Sequence, residues 1–67
     1  MYLCWYDDNP KHTTASKIAA AMQAYEDRFH ARPNVVLTNE AEQIAVDGVQ
    51  VRSEGYVRRN NFWVGRE

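Results

Sequence analysis

Three groups of residues in this chain have types and spacing that could support chemistry. The first is Asp7-Asp8-Asn9-Pro10-Lys11-His12-Thr13-Thr14, where two carboxylates, an amine, an imidazole and two hydroxyls fall within one short stretch. Asp7 and Asp8 could hold a divalent cation. Alternatively Lys11, Thr13 and Thr14, with the free N–H groups of a following helix, could hold an anion. The two aspartates repel a phosphate and no glycine-rich turn lets backbone approach one, so the plain alternative is a polar turn that caps and solvates a helix start. The second group lies between Arg52 and Arg66, where four arginines face a single glutamate and alternate with Tyr56, Phe62 and Trp63. Guanidinium groups with stacking partners suit single-stranded nucleic acid, and Arg52, Arg58, Arg59, Phe62 and Trp63 are the candidate contacts. The plain alternative puts Phe62 or Trp63 in the core, with the arginines solvated. The third group is Tyr2, Cys4 and Tyr6, which share one side of an aromatic run and form a candidate interface.

Nothing here converges on a catalytic constellation, and no cofactor is implied. Cys4 sits among aromatic strand residues, where an inert thiol is the ordinary outcome; pairing with His12 as a base would require the turn to fold back. A metal site from His12 and His30 fails on distance, because at about 1.5 Å per helical residue they lie about 27 Å apart. No Cys/His spacing matches a structural zinc site. A small enzyme using the first junction is therefore the last of three readings, behind a self-associating interaction module and single-stranded nucleic-acid binding.

The element that must position these groups is Thr13 to Ala31. Ile18, Met22, Tyr25 and Phe29 recur at helical steps and form one apolar stripe, with Lys17, Gln23, Asp27 and His30 away from it. Ala19, Ala20, Ala21 and Ala24 favour the helix, Thr13 or Thr14 can cap it (Asn9 with Pro10 being an earlier alternative), and Pro33 stops it. Such a stripe requires a sheet to lie on. Residues 2–6 supply one strand, with Leu3 and Trp5 facing one way and Tyr2, Cys4 and Tyr6 the other. Residues 35–38, a β-branched run, supply a second, and strand–helix–strand order predicts that the two are parallel.

Asn39 and Glu42 have capping-box spacing, which predicts a short helix over 40–45 ended by Gly48; a hairpin turning at Asp47-Gly48 is the alternative. Val49 and Val51 alternate with Gln50 and Arg52, as a half-exposed strand over 49–53 would. The end of the chain reads two ways. In one, Tyr56 to Gly65 is a hairpin about Asn60-Asn61, with Arg58 opposite Trp63 and Val57 opposite Val64. In the other, residues 54–61 are a loop and Phe62–Val64 pairs with Val49–Val51. A strand over 62–65 is common to both.

The elements define an α+β class: one domain over residues 1–67, two layers, with one long helix on a three- to four-stranded mixed sheet. A chain of 67 residues buries little core, and one cysteine cannot staple it, so a symmetric homodimer that pairs sheet faces or edges is expected, with the face that the helix leaves bare as the candidate surface. Its net charge of −1 gives no general pull toward nucleic acid or acidic lipid. No apolar run approaches the ~20 residues of a membrane span, and the start lacks a basic leader, which together point to a cytoplasmic protein without a membrane partner.

Two resemblances can be placed on particular residues. Strand, Asp-Asp-Asn-Pro, helix is similar to the opening of a bacterial receiver domain, but residues 35–39 offer no phosphoacceptor aspartate, which excludes that family. Tyr25-Glu26-x-Arg28-Phe29, then Arg32-Pro33-Asn34 before Val35-Val36-Leu37, and finally Asn60-Asn61-Phe62-Trp63-Val64-Gly65 resembles short bacterial hypothetical proteins. That resemblance implies a self-contained domain and carries no activity.

Overall fold

Thr13 starts the helix as the spacing predicts. Its Oγ1 accepts the Ser16 N–H at 3.1 Å, and α1 runs Thr14–Phe29. His30 takes the left-handed conformation (φ 55°) and donates its N–H to the Glu26 carbonyl, so the helix ends before Ala31. In this computed structural model all residues 1–67 are described. The other elements are β1 (Tyr2–Tyr6), β2 (Val35–Thr38), a 3₁₀ turn (Glu40–Glu42), β3 (Gln50–Ser53) and β4 (Asn61–Gly65).

The four strands form one mixed sheet in the order β1-β4-β2-β3. β4 runs antiparallel to both β1 and β2, which makes those two parallel to each other, as strand–helix–strand order predicts, but not neighbours. β3 pairs in parallel with β2. The fold is therefore α+β with one helix and a four-stranded mixed sheet.

The helix packs on one sheet face. Ile18, Ala21, Met22 and Tyr25 meet Val36, Phe62 and Val64, and Leu3, Trp5, Phe29, Val49 and Val51 close the margin. Tyr25 and Phe29, one turn apart, stack with ring centroids 4.6 Å apart. Gly65 stands opposite Tyr2, and a Cβ there would press on the Tyr2 ring, so the tyrosine ring covers the strand where it has no side chain of its own.

Four expectations require correction. β4 does not form a hairpin with residues 56–60, nor does it pair with β3; it enters between β1 and β2, where its Phe62 and Val64 are shielded on both flanks. The short helix is a single 3₁₀ turn over Glu40–Glu42, and Val46 and Val49 form a bridge over Asp47-Gly48 (Gly48 φ 81°), so both alternatives occur in shortened form. Lys17, expected on the solvated side, is 7% exposed. The reverse face is not bare throughout: the loop after β3 folds back so that Val57 inserts against Val35 and Leu37, with Tyr2 and Trp63 at its rim. β2 is consequently buried on both faces, as its uninterrupted apolar run requires.

Candidate functional site

The strand-to-helix junction is occupied by its own residues. Asp7 Oδ2 lies 2.8 Å from His12 Nδ1 and Asp7 Oδ1 accepts the Asn9 N–H; Asn9 Oδ1 in turn accepts the Lys11 N–H. His12, then the Asn9 N–H, hold the Asp7 carboxyl below its usual range. Asp8 accepts from the Tyr6 hydroxyl, which raises the phenol's pKa. Thr13 is the helix cap and Thr14 its first residue. Asp7, Asp8, His12 and Thr13 thus complete a turn, leaving Lys11 with no side-chain partner, and Cys4 makes no hydrogen bond to His12. No group of three or more His, Cys, Asp or Glu is arranged to hold a metal ion.

The basic group divides into three parts. Arg52 is clamped: Nη1 and Nη2 donate to Glu67 at 2.9 and 2.6 Å, and Nε to Glu54 at 3.3 Å. Tyr2 Oη donates to the same Glu67 carboxylate at 2.7 Å, and the Asn34 side chain bonds the Glu67 backbone in both directions. Arg52, then Tyr2, hold the Glu67 carboxyl down at about 2 from an ordinary 4.5, and Glu67 raises the Arg52 and Tyr2 values. Phe62 is completely buried under the helix. Burial withdraws Phe62 from any ligand, and each of the three Arg52 side-chain nitrogens is engaged by a glutamate. Arg58, Arg59 and Trp63 stay accessible, and Arg58 and Trp63 line a groove of about 190 Å³ with Tyr56 and Asn61.

Because Glu67 is depressed in the folded state and ordinary in the unfolded one, its contribution to stability is fully present above about pH 4.5 and is lost as pH falls toward 2. Urea midpoints should drop across that window, and Glu67→Gln should flatten the drop while lowering the midpoint at pH 7. An unchanged pH profile in the variant would contradict this assignment.

Beneath the junction lies a network that sequence reasoning missed. Asn60 adopts φ 66°, and its N–H donates to Glu42 Oε1 at 2.7 Å while its Oδ1 accepts from Lys17 Nζ at 3.1 Å. Its carbonyl accepts the Asp7 N–H. Glu42 is only 4% exposed, so two buried opposite charges are joined through one asparagine. Capping-box spacing is present without the reciprocal bond: Asn39 Oδ1 accepts the Ala41 N–H, but Glu42 reaches Asn60 instead. Only the left-handed tendency of Asn60 was visible in sequence. A second cavity, at the carboxyl ends of β2 and β3, is lined by Asn39, Glu40, Ser53, Glu54 and Gly55, none of them hydrophobic.

Of the third group, Cys4 and Tyr6 are exposed and Tyr2 is half-buried. Tyr2, Cys4 and Tyr6 lie on the reverse face of β1, opposite Gly65, Trp63 and Asn61, with Cys4 exposed and Tyr6 62% exposed. β1 is also an edge, paired only with β4. The opposite edge is different: beside β3, the Gln43 side chain donates to the Val51 carbonyl, and the Val46–Val49 bridge folds alongside. No helix is long and apolar enough to cross a membrane. Comparison with protein-family models, curated proteins and solved structures gives no match, so the arrangement stands on its own geometry.

Proposed function

We propose that this domain is a non-catalytic interaction module that self-associates through β1, as a homodimer. The observation that carries the reading is the contrast between the two sheet edges. β3 is guarded by its own chain, whereas β1 presents an open row of backbone N–H and C=O groups beside Cys4 and Tyr6, with no Lys or Pro to blunt it. A second copy fits this edge because an antiparallel pairing of one strand with itself is closed by a two-fold axis. The eight-stranded sheet that results would also compensate for a small core. Centred on Cys4, the pairing sets Tyr2 of one copy opposite Tyr6 of the other, so that all of β1 takes part.

That register makes a covalent prediction. Residues on the two-fold axis have Cα atoms about 4.5–5.5 Å apart, within the range of a disulfide. Mild oxidation should trap a Cys4–Cys4 dimer, and sedimentation equilibrium of the reduced protein should give twice the 7.8 kDa chain mass. Tyr6→Glu should return it to one chain mass and abolish the crosslink. A reduced protein that sediments as a monomer at about 1 mM, or a Tyr6→Glu variant that still dimerises, would overturn the proposal.

A further inference from the structure

The groove on the reverse face combines three features that act on one kind of ligand. Tyr56 and Trp63 pack as a tilted aromatic pair, with ring centroids 5.1 Å apart and planes at 53°. Tyr56 is 59% exposed, so its ring is open to a ligand. Arg58 lines the same groove and Arg59 follows it; both are exposed and neither forms an ion pair. Glu54 and Glu67 share the one guanidinium of Arg52, so those three groups sum to −1, and Arg58 and Arg59 bring the surroundings of the groove to +1 although the chain carries −1 overall. Asn61 lines the wall; its Nδ2 donates to the Arg59 carbonyl, which fixes the amide and leaves Oδ1 free to accept from a ligand edge.

We propose that this groove binds single-stranded nucleic acid, one base stacking on Tyr56 and Trp63 while Arg58 and Arg59 meet flanking phosphates. Ring faces accept any base, and guanidinium groups beside them neutralise the backbone that carries it. An acidic peptide would satisfy the arginines but would leave the exposed rings without a partner. The site is small, so it reads a short segment without sequence preference; two of its lining residues, Trp63 and Asn61, pair across strands with Cys4 and Tyr6 of β1.

The test is fluorescence anisotropy of a labelled ten-residue oligothymidine at low salt, with an oligoglutamate peptide as competitor. Binding should weaken about 10-fold in Tyr56→Ala, a substitution at an exposed loop position. Two neutralised phosphates predict a log–log salt slope of about −1.4, and Arg58→Gln should reduce it to about −0.7. Stacking also predicts that oligothymidine outcompetes oligoglutamate of equal charge. No anisotropy change at millimolar protein, binding unaltered by Tyr56→Ala, or equal competition by the peptide would each overturn the proposal. Circular dichroism of Tyr56→Ala separates loss of binding from loss of fold.

Discussion

Phe62→Ala is expected to remove about 3–5 kcal/mol of folding free energy, a large share of the domain's total. Phe62 is completely buried, lies on the strand between β1 and β2, and packs in the cluster with Ile18, Ala21, Met22 and Tyr25. Truncating a buried phenylalanine costs about 3–5 kcal/mol, because the transfer energy of the ring is lost and the cavity closes only in part. At about 0.05–0.15 kcal/mol per residue, a chain of this length has only about 3–10 kcal/mol in total. The adjacent Trp63→Ala provides the control: its ring sits at the rim of the reverse-face cluster and remains partly exposed, so its loss should be smaller. Urea denaturation followed by far-UV circular dichroism measures both. A Phe62→Ala variant that melts cooperatively within about 1 kcal/mol of the parent would show that the helix does not depend on β4.

The second large effect is expected at Glu42. Its carboxylate and the Lys17 ammonium are both buried and both terminate on Asn60. Glu42→Ala removes the acceptor of the Asn60 N–H and leaves Asp7 as the remaining carboxylate acting on the buried Lys17 charge, at a cost of about 2–4 kcal/mol. Glu42→Gln keeps an acceptor oxygen and should cost less. The coupling gives the sharper measurement: if the two charges act through Asn60, Lys17→Met should cost less in a Glu42→Gln background than in the parent, which a double-mutant cycle in urea reads directly. Additive losses would mean that the two residues are buried independently.

Elements whose determinants are local were readable in sequence. Ile18, Met22, Tyr25 and Phe29 mark the helix by spacing alone, and Thr13 and Pro33 bracket it. Leu3 and Trp5 are assigned to the helix side of β1 by simple alternation, and they pack there. What sequence could not rank was pairing between distant strands. Nothing in Asn61–Gly65 says whether its neighbours are Val49–Val51 or the two strands that flank α1, because each option buries the same side chains and differs only in what closes over them. Val57 was obscure for a related reason, since one apolar residue in a loop has no period.

The candidate sites divide in the same way. That one of Phe62 and Trp63 enters the core follows from alternation, and the structure assigns this to Phe62. The loss of Arg52 as a ligand contact could not be inferred, because Glu67 is fifteen positions away and meets it only through the geometry of the folded sheet. Lys17 and Glu42 illustrate the limit most directly. Composition rules put both in water, and their burial depends on a single backbone conformation at Asn60.

The place of β4 in the sheet bears on how the chain acquires its structure during synthesis. β1 and β2 share no ladder of their own, so a nascent polypeptide that has released α1 from the ribosome still holds two strands with no common neighbour. Closure waits until residues 61–65 have cleared the exit tunnel and can thread between them. Contacts of such long sequence separation form slowly. Until then both edges of β1, and not only the outer one, are open to other chains, and a translational pause before residue 61 would prolong that exposure.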